Sequence, residues 1–321
     1  MAWQRLYRTL RPGRHKGSAL LIVLWALTIV SAAVLGLAIY FQDSMEEEAG
    51  RSAAFRCGQL AESGLAVALH PEVQPGDPVL NQQFPGLQGF EARIVSEGSR
   101  ININAVLQKP DLDFLWDLFT RWGLELKEAQ NLTDALADWI DADDLRRLNG
   151  AERQEYEAAG RPGSPRNRPF ETVEELALVL GWDRIAELKP DWANVFTVWG
   201  SGRIDVNEAS AEILEVATES GEIQVEDLIS YRNGSDGIPY TEDDMPLESL
   251  DQVRSILGKS EIEFQRIADR LSVEDAVTRI ESTGKVGNYR KTLTVIVRKG
   301  SEPAILAWLE PPELPEDPLE E

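Results

Sequence analysis

The first regular pattern begins at Ser18, where a run with no charged side chain extends 24 residues to Phe41. At an α-helical rise of ~1.5 Å per residue it reaches ~36 Å, more than the ~30 Å hydrocarbon core of a bilayer. Small and apolar positions then recur at spacings of three and four through Ala49, Ala53, Cys57, Leu60, Ala61, Gly64, Leu65 and Ala68, the period of an amphipathic helix. No proline falls between Phe41 and Pro71. The spacing therefore predicts one helix from Ser18 to about Leu69, with residues 18–41 fit to cross a membrane. Its continuation, 42–70, is fit to lie close against a sheet because its side chains are small. His70 to Gly89, with four prolines and three glycines, reads as a connecting loop.

Beyond the loop the period changes. Phe90, Ala92 and Ile94 alternate with Glu91 and Arg93 and predict a strand, so that residues 71–97 form a loop and a first strand. Val277–Ser282, Leu293–Val297 and Ile305–Leu309 predict three more strands within 273–310, with a turn over Thr283–Asn288, and Leu293, Val295 and Val297 share one face. Between these strands one unit occurs twice. GSRININAVL, a helical stretch through DLFTRWGLELKEAQNLTDALADWIDADD, and FETVEELALVLGWD make the first (98–200). GRIDVNEASAEIL, VEDLISYRNGSDG and PLESLDQVRSILG make the second (201–272). Each is expected to open on an asparagine cap, Asn104 or Asn207. Each then has a helix ending in an aromatic and a polar loop, Trp139 with Asp141 and Tyr231 with Asn233. Each closes on a short helix, Thr172–Leu180 or Glu248–Leu257, stopped by Gly181 or Gly258.

Charge narrows the functions. The chain carries −23, and the first 17 residues hold five cations and no acid, which leaves −28 on Ser18–Glu321. Such a body repels nucleic acid and anionic lipid. The cations precede the apolar run and Asp43, Glu46, Glu47 and Glu48 follow it, which sets the N-terminus in the cytoplasm and the bulk outside. The run is too long for a secretory signal, while a plain single-pass anchor fits it. A single cysteine, Cys57, forbids an intramolecular disulfide, and only His15 and His70 are present, so zinc sites and histidine-based catalysis are disfavoured. Two acidic clusters offer hard oxygen ligands suited to calcium: Asp141, Asp143, Asp144, Glu152 and Glu155 in one loop, and Asp236, Glu242, Asp243 and Asp244 in another. Neither has EF-hand spacing, and a chain this acidic also gathers carboxylates on solvated loops by chance. Residues 311–321, acidic and proline-rich, read as a disordered tail.

The basic leader ending in Gly17, followed at once by the apolar helix, resembles the class III leader of type IV pilins and type II secretion pseudopilins. That resemblance implies cleavage between Gly17 and Ser18 by a membrane prepilin peptidase and N-methylation of Ser18. Most members carry glutamate at the fifth mature position, which here is Ile22; in the family that carboxylate is thought to neutralise the terminal amine of a neighbouring subunit within lipid. Its absence, SALLIVLWAL, the duplicated sterile-alpha-motif-like or helix-hairpin-helix-like units and the segment ALADWIDADDLRRLNGAERQEY together resemble the K-type minor pseudopilins. The implied fold is α+β: a long N-terminal helix on an antiparallel sheet, with a large inserted all-α lobe. The implied role is non-enzymatic, at the tip or initiation complex of a periplasmic pseudopilus. The implied setting is the inner membrane, single-pass, with a periplasmic C-terminal domain. The implied partners are the I- and J-type minor pseudopilins, the peptidase, the outer-membrane secretin and exported substrates; calcium in the lobe is implied as well. Two other classes of function fit the chain less well. IDVNEASAEIL with ISYRNG resembles the helix-hairpin-helix of competence DNA receptors, but the hairpin position reads ATESGEIQVED, acidic where phosphate would bind. A hydrolase using paired carboxylates lacks an identifiable cleft.

Overall fold

The computed structural model describes residues 18–109, 112–300 and 303–309. The expected leader with Gly17, and the expected tail over 311–321, lie outside the described residues. The chain divides into two compact units, with the boundary between Arg56 and Cys57 inside a single 51-residue helix, α1, Ser18–Ala68. In the first unit every side chain described from Leu20 to Phe41 is exposed, and the helix has an 18-residue window of mean hydropathy 2.6, long and apolar enough to cross a membrane.

The second unit begins with the last turns of α1, whose Cys57, Ala61, Gly64, Leu65 and Ala68 form a buried face. Two strands follow, β1 (Asn81–Phe84) and β2 (Gln88–Ser96). Residues 70–89 are thus not only a loop, since β1 pairs antiparallel with β2 across a turn at residues 85–87. The next elements are β3 (Ile101–Asn102), α2 (Ile103–Leu107), α3 (Asp113–Arg121), α4 (Leu126–Ile140), α5 (Arg153–Ala158), α6 (Trp182–Leu188) and β4 (Phe196–Thr197). The second repeat has β5 (Ile204–Asp205), α7 (Ala211–Thr218), α8 (Glu222–Arg232), α9 (Leu250–Ile256), α10 (Glu261–Ile267) and β6 (Leu271–Ser272). Three strands end the described chain: β7 (Val277–Val286), β8 (Tyr289–Arg298) and β9 (Ala304–Leu309).

The main sheet is antiparallel throughout, in the order β1-β2-β7-β8-β9, so the class is α+β with an all-α insertion. Alternation decides which face is buried: Ala92, Ile94, Ile280, Leu293, Val295 and Val297 meet Ala61, Leu65 and Ala68 of α1. Two glycines allow that approach. A Cβ at Gly64 would lie 2.2 Å from the Ser282 hydroxyl, and one at Gly284 would lie 1.9 Å from the Cys57 carbonyl oxygen. Strand β7 runs on to Val286, so the β7–β8 turn is tighter than the expected Thr283–Asn288.

Each helical repeat is closed by its own two-residue parallel ladder, Ile101↔Phe196 in the first and Ile204↔Leu271 in the second. The equivalence extends to the asparagines, but not as caps. Asn102, not Asn104, caps α2 by accepting from the Ala105 N–H at 3.1 Å, and Ser210 occupies the N-cap position of α7. Asn104 instead spans both backbone groups of Phe170, donating to its carbonyl at 2.9 Å and accepting from its N–H at 2.9 Å. Asn207 does the same with Leu247, at 2.9 and 2.8 Å, and also donates to the Val273 carbonyl. Each asparagine latches the start of its repeat to the residue ahead of the closing turn.

Three further boundaries differ from the pattern. Gly123, at φ +102, breaks the first helical stretch into α3 and α4. The closing segment of the first repeat is a 3-10 turn over Val173–Leu178, and Gly181, at φ +91, stands at the start of α6. In the second repeat Ser249 caps α9, its hydroxyl accepting from the Gln252 N–H, and Gly258 follows at φ +64.

Candidate functional site

Helix α4 is amphipathic, and its last turns bury Leu136, Ala137 and Trp139. Trp139 is fully buried; its ring stacks on Phe170 at 5.9 Å between centroids and meets Tyr156 of α5 edge-on at 5.6 Å. These rings hold the C-terminal end of α4 against the N-terminal end of α5. Asp138 and Asp141, three residues apart, therefore project on one side of α4. The chain returns through residues 142–151 to place Glu152 at the N-cap of α5. Asp138, Asp141 and Glu152 each present a carboxylate oxygen, all within 4.8 Å of one another.

The electrostatics of this trio are unfavourable without a cation. Burial first, then neighbouring carboxylates, push Glu152 up to about 7. Burial likewise raises Asp138 to about 6 and raises Asp141. Arg147 provides partial relief, its backbone N–H donating to Asp138 at 3.2 Å and its guanidinium 3.4 Å away. Both carboxylate oxygens of Glu152 and Oδ1 of Asp141 are buried without a hydrogen-bond donor. Asn167 borders the same loop, its amide donating to the Asp143 carbonyl at 3.0 Å while its own Oδ1 is buried without a partner. Orphaned, closely set hard oxygens are the donor set a divalent cation such as calcium takes.

Of the acids named from the sequence in this loop, the structure brings Asp141 and Glu152 together. It does not bring Asp143, Asp144 or Glu155 into the group. Asp143 accepts from the Leu145 N–H at 2.8 Å, and Asp144 takes Arg153 at 3.3 Å. Glu155 takes Arg146 at 2.8 Å and the Glu152 N–H at 3.0 Å. Asp138 was missed because it lies among apolar helix positions. Its signal is that setting itself, a lone carboxylate flanked by buried Ala137 and Trp139. Gly150 packs on it so closely that a Cβ there would lie 2.0 Å from Oδ2.

In the second loop the acids serve the loop. Asp243 accepts from the Ser235 hydroxyl at 2.7 Å and the Thr241 hydroxyl at 2.9 Å, and these bonds hold it down at about 2. Asp236 accepts from the Ile238 N–H at 2.8 Å, and Asp244 accepts from the Tyr240 N–H. Glu242 lies in the same exposed loop and joins no three-carboxylate group among the described residues. The hairpin position of the DNA-receptor reading carries Glu219, whose carboxylate takes Arg266 and Arg270, so an acid stands where phosphate would need donors. Ser18 begins α1, and Ile22 lies exposed on its apolar run.

The carboxylate trio lies inside a stretch matched by a family model described as "Type II secretion system (T2SS), protein K", over residues 99–190. Over these residues the chain is similar to the type II secretion system protein K family. Three proteins named type II secretion system protein K are similar to it. The Klebsiella pneumoniae protein is 36% identical over 101 residues, 29% of this chain and 31% of its own length. That of Pectobacterium carotovorum subsp. carotovorum is 30% identical over 197 residues, 53% and 59% of the two chains. That of Pseudomonas aeruginosa is 29% identical over 161 residues, 48% and 47%. The matches thus span from 31% to 59% of the length of these relatives. The fold is similar to that in a crystal structure of the GspK-GspI-GspJ complex of the enterotoxigenic Escherichia coli type 2 secretion system. The TM-score is 0.60 at 17% identity, covering 85% of this chain and 99% of that one.

Proposed function

We propose that this protein is a minor pseudopilin of a type II secretion system, placed at the tip of a periplasmic pseudopilus or in the complex that initiates it. The observation that carries the reading is α1: one uninterrupted helix, exposed, apolar and acid-free over Leu20–Phe41, and packed on a pilin-like sheet from Cys57 onward. Cleavage after Gly17 frees Ser18, which the same peptidase methylates, and the helix then serves as a single-pass inner-membrane anchor with the second unit in the periplasm. Its role is mechanical and non-enzymatic. A subunit with Ile22 in place of a carboxylate cannot neutralise an amine ahead of it in lipid, which suits the foremost position. The relative solved as GspK-GspI-GspJ supports two smaller minor pseudopilins as partners along the helix. The lobe would stand where the secretin and exported substrates are met. Incubating the full-length chain with prepilin peptidase is expected to remove about 2 kDa, the mass of 17 residues at roughly 110 Da each. A chain that resists the peptidase, or a crosslinking scan over Ala49–Leu69 that captures no pseudopilin, would remove this reading.

We further propose that Asp138, Asp141 and Glu152 hold a calcium ion. The cation would link α4 to α5 and satisfy the orphaned oxygens. Calcium is expected to raise the melting temperature, a chelator to reverse the rise, and Asp138→Asn or Glu152→Gln to abolish the response. An unchanged response in both variants would place the ion elsewhere.

A further inference from the structure

Asparagine followed by glycine is prone to lose its side-chain amide, because glycine sets no Cβ in the way of its own backbone nitrogen. The chain has two such pairs, Asn149–Gly150 and Asn233–Gly234. Each asparagine carbonyl takes a cationic donor: Oδ1 of Asn149 accepts from the Lys127 ammonium, and Oδ1 of Asn233 accepts from the Arg232 Nε–H at 3.2 Å. The two pairs differ at the nucleophile and at the leaving group. The Gly150 N–H donates to the Arg147 carbonyl at 3.2 Å, the Asn149 Nδ2 donates to Asp134 at 3.1 Å, and Gly150 is buried against Asp138. The Gly234 N–H, by contrast, makes no hydrogen bond among the described residues, and the Asn233 Nδ2 has only a long 3.5 Å contact with the Gly237 carbonyl. Asn233 is the C-cap of α8, and both it and Gly234 are half-buried, within reach of water. Its donor is held in place, since Nη1 of Arg232 also donates to the Val206 carbonyl at 2.7 Å.

We propose that Asn233–Gly234 is a self-modifying site, at which the folded chain converts Asn233 to aspartate and isoaspartate while Asn149 persists. The Gly234 nitrogen attacks Asn233 Cγ, its proton passes to water, and the charge that builds on Oδ1 meets the Arg232 guanidinium. The Cγ–Nδ2 bond then breaks, Nδ2 takes up a proton and leaves as ammonia, and a five-membered imide remains. Water opens the imide. Attack at Cγ restores the main chain and gives aspartate; attack at the main-chain carbonyl gives isoaspartate, whose backbone runs through Cγ and is one carbon longer. One water is consumed, one ammonia is released, and nothing is oxidised or reduced. Either product puts a new carboxylate at the end of α8. The longer one has no room, since a Cβ at Gly234 would already lie 2.5 Å from the Asp243 carbonyl oxygen, and Asp243 fastens the loop by accepting from the Ser235 N–H at 2.6 Å and its hydroxyl at 2.7 Å. The change is one-way and marks the age of a subunit.

Full-length chain in detergent is incubated at mildly alkaline pH and sampled by peptide-mapping mass spectrometry, which reads a gain of about 1 Da per event. Asn233 is expected to convert faster than Asn149 by about tenfold or more, and the two rates to converge in urea, where neither site keeps its partners. Arg232→Gln should slow Asn233 by about tenfold, and Arg232→Lys, which keeps a cationic donor, by less. The Asn149 rate gauges folding, because a variant that unfolds speeds that site as well. If Arg232→Gln raises the Asn149 rate, the parent's comparison between native buffer and urea decides alone. A native chain in which Asn233 is as slow as Asn149, or a folded Arg232→Gln chain that converts Asn233 as fast as the parent, would overturn the proposal.

Discussion

Asn104 and Asn207 each satisfy two backbone groups far away in the chain, and Asn207 a third. Truncating a side chain that leaves half-buried N–H and C=O groups unmet costs about 1–3 kcal/mol per group at most, with relaxation to water reducing the sum. Asn207→Ala is therefore expected to lower unfolding free energy by about 2–4 kcal/mol, and Asn104→Ala by somewhat less, as urea titration would read. A second residue-level expectation concerns Glu208. Burial raises its pKa from an ordinary 4.5, so on rising pH the unfolded chain releases this proton before the folded one does. Stability is thus highest below that ordinary value and falls as pH climbs through it toward the raised folded value, after which the loss is constant. Glu208→Gln keeps an acceptor for Tyr240 and removes the loss. Its stability should decline less than the parent's from about pH 4 to 7, and matched slopes would show that the burial is relieved some other way.

Among the elements, the contact of α1 with β7 tests how closely packing is tuned. At Gly284 an added methyl meets the Cys57 carbonyl at 1.9 Å, backbone against backbone, with no flexible side chain to yield. Gly284→Ala should destabilise by at least about 1–3 kcal/mol in thermal unfolding. Gly58→Ala, about three turns from the end of the same helix and with only ordinary contact at 3.6 Å, should be neutral or stabilising by up to about 1 kcal/mol. The helix and the main strands could be read from the sequence because their periods are local: 3.6 in Ala61–Leu65–Ala68, 2 in Phe90–Ala92–Ile94. The duplication could be read because ININA and DVNEA repeat a local string. The latches could not, since Asn104 finds Phe170 and Asn207 finds Leu247 only after the repeats fold. β1 was hidden by the prolines around it, and Asp138 by its apolar neighbours.

For the whole molecule, Ile22 is the position on which the proposed rank rests. An acid at a bilayer centre costs roughly 2.5–3.5 kcal/mol to insert, an upper bound for Ile22 near one end of the run, and a segment with Leu20, Leu21, Val23 and Leu24 around it can absorb that. Ile22→Glu is expected to stay membrane-bound and to yield crosslinks between copies of this chain that the parent lacks; identical crosslinking patterns would detach rank from that carboxylate. The sheet register has a separate consequence. Because β2 and β7 are direct neighbours, with Ser96 facing Thr278, everything from Glu97 to Ala276 leaves and re-enters the sheet at one point. The tandem repeats are in effect the oversized turn of a β-hairpin. Replacing them with an Asn-Gly bend should leave a small, self-sufficient helix-on-sheet domain whose strands still pair, so the head could be exchanged as a cartridge.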